Sequence, residues 1–389
     1  LDTAADPVEL GKELPERCDV AVIGGGLAGL LVADQLADSS SVVLITDAVI
    51  PSATSRCSGI VACGAQDSPA RLAQGLGDER ACRYWQWSAA SVSLLLDLAE
   101  ELAVDHSRRG SWRLALEERE HSEWVTSLQL LNRWDPEDPA GWRAASEADM
   151  QGLGEGFAGG FFLPGDGWLD VNALCAALRA KLEGRVYHSS AGARLTTEDA
   201  PPGVKTLRLG SGERLCAETV VIASGWNAAA VDKSLATMFY PVRLQALRTE
   251  PVAREACPVP VLARHRFETW CQEPEGTLVF SGCRWAEQPE MGAGVSDADS
   301  HSEAVLARQQ EFIDAHLPLA RGVPVREHWS GIGAWSCDGL PLVGTMPGNP
   351  RVAVLGGWGG SGLSLVAAAT KAVCDGLLGR EGEGSPAFL

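Results

Sequence analysis

The stretch CDVAVIGGGLAG, Cys18 to Gly29, decides the fold. It opens with the short apolar run of a strand buried on both faces, turns on glycines, and passes into the helical pattern LLVADQLA. A second apolar run, Val42-Val43-Leu44-Ile45, ends at Thr46-Asp47 and completes a βαβ unit within about thirty residues. Gly24, Gly26 and Gly29 carry the GxGxxG spacing. The first allows the tight turn, the second lets backbone approach a pyrophosphate, and the third lets helix and strand pack closely. With Gly25, Leu27 and Ala28 they form a helix start whose unpaired N–H groups and positive dipole end suit phosphates. Asp47 stands eighteen residues after Gly29, at a strand end where a carboxylate can accept from ribose hydroxyls. The unit therefore reads as a dinucleotide site rather than a merely structural glycine turn, although NAD and FAD share the fingerprint.

Around this unit the chain is long enough, at 389 residues, for two domains. Apolar residues at 46% and charged residues at 21% are the composition of an ordinary globular protein with a large core. The 32 Lys and Arg against 51 Asp and Glu leave a net charge of -19, which repels nucleic acid and anionic membrane surfaces. No nucleic-acid partner is expected. The acidity suits a cationic substrate, and it equally suits a surface charged for solubility. Eleven cysteines without a CxxC pair or metal-ligand spacing indicate neither a disulfide framework nor a metal site, and the expected compartment is the reducing cytoplasm. The first sixteen residues are acidic and polar where a signal peptide is basic and then apolar, and no apolar run reaches about eighteen residues. No membrane span is expected.

Further along, residues 77–102 are helical in pattern, with Trp85, Trp87, Leu94, Leu95, Leu98 and Leu102 as a core stripe. Strand-like Trp112–Leu116 follows, then a helix that Asp170 caps and Gly184 closes. A small meander is expected over 185–216, broken at Pro201-Pro202-Gly203 and Gly210-Ser211-Gly212, leading into a buried strand Thr219–Ala223. Residues 238–319 alternate as in an antiparallel sheet, with an amphipathic helix near 302–316. The chain closes with GIGAWSCDGLPLVG, a strand Val352–Leu355, the glycine run GGWGGSG, a helix over 363–378 and a frayed tail REGEGSPAFL.

Three further stretches narrow the choice of dinucleotide. Thr54-Ser55-Arg56-Cys57-Ser58-Gly59-Ile60, the strand end Val221-Ile222-Ala223-Ser224-Gly225-Trp226, and DGLPLVG with GGWGGSG together resemble the D-amino-acid-oxidase-like family of FAD enzymes, over nearly the whole chain. The resemblance implies an α/β fold: a glutathione-reductase-like Rossmann FAD domain from 1–90, 160–230 and 325–389, and an inserted substrate domain with a mixed or antiparallel sheet from 91–159 and 231–324. It implies that Thr54, Ser55 and Arg56 line the pyrophosphate and ribityl region, that Ser58, Gly59 and Ile60 run along the isoalloxazine, and that Ala223, Ser224, Gly225 and Trp226 close the site from below. Gly331, Asp338, Gly360, Ser361, Gly362 and Leu363 complete the cofactor set, the last four bringing N–H groups to the flavin N1–C2=O edge. The implied reaction is oxidation of the C–N bond of a small amine or amino acid to an imine, with hydride passing to flavin N5 and O2 as the expected acceptor. The same fold carries dehydrogenases of 2-hydroxy acids and similar alcohols with other acceptors, and flavoproteins that modify a partner protein.

On the substrate side the chain departs from the family. The arginine that clamps the substrate carboxylate in glycine oxidase aligns with Gly333, and the lysine of the final glycine segment in sarcosine oxidase aligns with Ser364. The oxygen-activating lysine of sarcosine oxidase aligns near Val279 or Phe280. These departures favour an amine, or an acid held by another cation such as Arg243, Arg266 or Arg284. Trp270, Tyr240, Trp335 and Trp358 are expected around the pocket, and His265 as a base, although in a chain with thirteen tryptophans any one is more often core. Cys57 and Cys337 lie in flavin-facing segments, but neither matches the family's attachment cysteine, and non-covalent FAD is expected.

Overall fold

The structure, a computed structural model, describes residues 13–47, 52–135, 142–188, 193–196, 203–253, 257–287, 292–297 and 299–380. The expectations for the amino-terminal twelve residues, for Pro201-Pro202 and for the tail from 381 onward lie outside them.

The first strand, Arg17–Ile23, runs parallel to Val42–Thr46 on one side and to Arg214–Ile222 on the other. Val186–His188 and Asn349–Gly356 extend the parallel set outward on either side. Parallel neighbours need crossovers, and the helices Leu27–Leu36 and Val171–Lys181 lie in them, joined on the same face by the final helix Gly362–Leu377. There Val22, Leu44 and Val221 meet Leu30, Leu174 and Leu365 in one core. Leu27–Leu36 is apolar on nearly every side because it lies between the sheet and its neighbouring helices. On the opposite face Ala193–Thr196 and Lys205–Leu209 form the antiparallel meander that feeds Arg214–Ile222, closing over Ala21, Ile23 and Val43. Asp170 caps the helix Val171–Lys181 through a bond from Ala173 N at 2.9 Å.

The second sheet runs Val325–Ser336, Phe239–Pro251, Thr277–Ser281, Glu268–Gln272, Val261–Ala263, Ser111–Ala115, Gly159–Leu163, Arg143–Ala144. Its pairs are antiparallel except Val261–Ala263 with Ser111–Ala115, so the sheet is mixed. The helix Glu303–His316 covers one face, setting Val305, Phe312 and Ile313 against Leu247, Trp270 and Phe280. Val325–Ser336 pairs with Phe239–Pro251 from Phe239↔Ser336 to Thr249↔Val325. It thus belongs to this sheet, although the sequence pattern groups it with the carboxy-terminal glycine segment.

In the helix Asp78–Glu101 the buried side comprises Ala81, Tyr84, Trp85, Val92, Leu95, Leu96 and Ala99. Leu94, expected in that stripe, is 41% exposed, because consecutive leucines turn about 100° apart and cannot all face inward. A buried ion pair ties the strand Ser111–Ala115 to the segments around Asp166 and Cys63. Asp166 accepts from Arg113 Nη2 at 2.8 Å, Ser111 Oγ at 2.6 Å and Cys63 N at 2.8 Å, and Arg113 donates to Cys63 O at 3.2 Å.

Candidate active site

The glycine turn is built by exclusion. Gly24 has φ +120°, and a Cβ there would stand 2.4 Å from the carbonyl oxygen of Ala223. A Cβ on Gly29 would stand 1.9 Å from the carbonyl oxygen of Gly24, so the helix can approach the strand end only without a side chain. Gly26 caps the helix Leu27–Leu36 with no side-chain hydrogen bond, which leaves its first N–H groups for a ligand, apart from Leu27 N, bonded to Thr54 Oγ1 at 3.2 Å. Arg179 reaches across to Gly25 O at 3.0 Å. The buried hydroxyl of Ser224 has no hydrogen-bond partner and lines the same space.

That space is a cavity of about 950 Å³, large for a small-molecule site, running from the glycine turn to the second sheet. Among the described residues six arginines line it (Arg56, Arg179, Arg194, Arg208, Arg266 and Arg284) against one carboxylate, Asp47. In a chain of net charge -19 this concentrates positive potential within the cavity. The buried, orphaned Ser224 hydroxyl, the uncapped helix start and this charge together fit a dinucleotide.

At the other end the glycine run turns through left-handed residues, Gly357, Gly359 and Gly360, with φ of 75°, 55° and 81°. It delivers the start of the helix Gly362–Leu377, where the N–H groups of Gly362 and Leu363 have no partner within the helix. Trp335 and Trp358 form an isolated antiparallel bridge. The ring of Trp335 lies over Gly333, where a Cβ would stand 2.5 Å from it, so position 333 has no room for a side chain.

Arg264, His265 and Arg266 are all left-handed, with φ of 47°, 53° and 65°, in the tight turn between Val261–Ala263 and Glu268–Gln272. Such strain is held in place by bonds made elsewhere. Arg266 donates to Ala62 O at 3.0 Å, Gly64 O at 3.0 Å, Ala65 O at 2.8 Å, Ser361 Oγ at 3.4 Å and Ser364 Oγ at 3.3 Å. Burial pushes its guanidinium down to about 10, which leaves it charged at neutral pH. It ties the turn of the second sheet to the helix start of the first.

Of the residues expected from sequence, Gly24, Gly25, Gly26, Leu27, Ala28, Asp47, Thr54, Arg56, Ser58, Gly59 and Ile60 line the cavity. So do Ala223, Ser224, Gly225, Trp226, Gly331, Gly333, Trp335, Trp358, Gly360, Ser361, Gly362, Leu363 and Ser364, and Cys57. Gly29 packs behind the turn, Ser55 bonds to Ser52 O at 2.9 Å, Asp338 accepts from Leu340 N at 3.0 Å, and Cys337 is exposed away from it.

Four expectations on the substrate side are corrected. Trp270 is fully buried, with ring centroids 6.1 Å from Phe157 and 6.2 Å from Phe280, and does not reach the cavity. Side chains alternate along its strand, and the neighbour Thr269 is the one that faces the cavity. Arg243 points into Ser300, at 2.7 Å, and the carboxylate of Glu287. His265 sits in a charged cluster, with Nε2 3.0 Å from Arg71 Nη2 and Nδ1 3.6 Å from Glu123. Tyr240 is 38% exposed and lies outside the lining. Leu244, Gln245, Ala246, Leu262, Phe267 and Ile332 line the substrate end without having been singled out. Alternation along their strands is the one signal they carry. Among the described residues no group of three or more His, Cys, Asp or Glu side chains is placed to hold a metal ion, and no helix is long and apolar enough to cross a membrane.

Residues 19–375 match the family described as FAD dependent oxidoreductase. A glycine oxidase of Bacillus licheniformis is 26% identical over 394 aligned positions, covering 94% of each chain. Among solved structures, glycine oxidase from Geobacillus kaustophilus superposes with a TM-score of 0.77 at 21% identity, over 96% of this chain and 98% of the other. L-proline dehydrogenase from P. horikoshii follows with 0.75 at 17% identity, over 96% of each.

Proposed function

The chain belongs to the family of FAD dependent oxidoreductases, and from that premise we propose that it oxidises the C–N bond of a small amine or amino acid to an imine. The observation that carries this reading is the lining of the substrate end of the cavity. Leu244, Ala246, Leu262, Phe267, Ile332 and Trp335 make most of its wall apolar, beside Gln245, Thr269 and Arg284, and among the described lining residues there is no histidine, lysine or glutamate. Oxidation of an alcohol needs a base to take the hydroxyl proton, whereas a neutral amine needs none. The enzymes named as glycine oxidase and L-proline dehydrogenase act on C–N bonds, which supports the same choice.

Bound in the cavity, FAD would supply the two-electron acceptor for a C–H beside nitrogen. The chain does the rest. The glycine turn, with Arg179 beside it, would hold the pyrophosphate, and Asp47 would accept from ribose hydroxyls. The N–H groups of Gly362 and Leu363 favour negative charge at their end of the cavity. The apolar walls disfavour an ammonium and admit the free base. FAD is held without a covalent bond, and O2 is the acceptor.

The test is spectroscopic. Acid precipitation should release the chromophore into the supernatant, and anaerobic mixing with amines and amino acids should bleach the visible flavin band, with air restoring it. Bleaching by 2-hydroxy acids alone would overturn the reading. Because no lining base is available, kcat/KM should rise about tenfold per pH unit until the substrate ammonium has titrated. A profile flat across that range would show that the chain itself removes the proton.

A further inference from the structure

At the substrate end of the cavity, Arg284 stands apart from the other arginines in its bonding. Arg56 bonds to Asp299 and to Ser330 O, Arg179 to Gly25 O, and Arg266 to three backbone carbonyls and two serines. The side chain of Arg284, half-buried at the substrate end, makes no hydrogen bond and no ion pair among the described residues. Its guanidinium lies 4.8 Å from the ring centroid of Phe267 and 5.6 Å from that of Trp335. Two aromatic rings steady a cation, but they satisfy none of its five N–H donors.

The position is also fixed. Cys283, before it, is a buried left-handed residue with φ 59°, Gln309 Nε2 holds Gly282 O at 3.1 Å, and Trp285 Nε1 donates to Glu268 at 2.7 Å. The backbone on both sides is therefore clamped while the side chain reaches into the cavity. The chain carries 51 acidic residues, yet among the described residues the one carboxylate lining the cavity, Asp47, is at the dinucleotide end. A half-buried cation with unused donors, held between two aromatic rings in a cavity, is placed to pair with an anion that enters there.

We propose that Arg284 is the anchor for a carboxylate of the substrate, so that the amine oxidised is carried on an acid. This rests on the amine-oxidising reading above. Arg284 offers a forked, charge-assisted contact, and Phe267 and Trp335 hold its guanidinium in place. Burial pushes its guanidinium down from the ordinary arginine range, as expected for a cation that has lost water and gained no acid.

The test uses the FAD-loaded enzyme and two pairs of probes, propionate with propionamide and phenylacetate with phenylacetamide, binding being followed by perturbation of the visible flavin band. At least one carboxylate should bind well ahead of its amide. Arg284→Met should weaken that carboxylate about 100-fold, Arg284→Lys less, and neither should change amide binding or FAD content. Equal binding of acid and amide, no perturbation by either acid, or unchanged acid binding in Arg284→Met would overturn the proposal. Substrate bleaching separates it from the reading beneath it. Amino acids that bleach where the matching simple amines do not support the anchor, and the reverse overturns it. If no amine of either kind bleaches the band while propionate or phenylacetate still depends on Arg284, the anchor stands and amine oxidation falls.

Discussion

Gly29→Val is expected to give a protein that purifies without FAD. The Cβ would stand 1.9 Å from the carbonyl oxygen of Gly24, which is backbone and has nowhere to go, since Gly24 N is itself bonded to Ile45 O at 2.9 Å. The helix Leu27–Leu36 must then move off the strand end, carrying its first N–H groups away from the phosphates. The expected result is loss of the visible flavin band and no rise in melting temperature when FAD is added, against a wild type that shows both. Gly75→Ala is the control, because its Cβ meets nothing within 4 Å. Full flavin content in Gly29→Val would mean that this turn is not the phosphate cradle.

Asp166→Ala is expected to lower stability by about 3–5 kcal/mol, the cost of leaving one member of a buried pair without its counter-charge. Arg113 is 2% exposed and Asp166 0%, so water does not reach the arginine to replace the lost carboxylate. The mutation also frees Cys63 N and Ser111 Oγ, both of which donate to Asp166. Chemical unfolding at a fixed excess of FAD reads the change as a shift in midpoint. Because Ile60, three residues before Cys63, lines the cavity, FAD should be held more weakly as well. Asp166→Asn, which keeps the shape but removes the charge, should fall between. A loss below about 1 kcal/mol in the alanine variant would show that Arg113 finds solvent or another acid, as exposed pairs do.

Much of this protein is legible in its amino-acid order. The run Val20–Ile23, the spacing of Gly24, Gly26 and Gly29, and Asp47 at the next strand end are local patterns, and each lands on the cavity wall or directly behind it. The same holds for the glycine run before the last helix, because left-handed turns and helix starts leave a mark within a few residues. The substrate end was not legible in this way. Whether Thr269 or Trp270 faces the ligand depends on which side of a two-residue alternation the core occupies, and a one-residue difference exchanges them. Arg243, Arg266 and Arg284 are equivalent as letters. Glu287, forty-four residues away, takes the first, carbonyls from residues 62, 64 and 65 saturate the second, and the third is left bare.

The division follows from range. Backbone geometry near a glycine and the periodicity of a buried strand are set within a handful of residues, so the sequence by itself determined the dinucleotide-binding unit and the class of cofactor. Burial, pairing of charges and the facing of side chains in the second sheet are set by strands far apart in the chain, joined only on folding. Only the tertiary structure decided which cation remains free to meet a substrate.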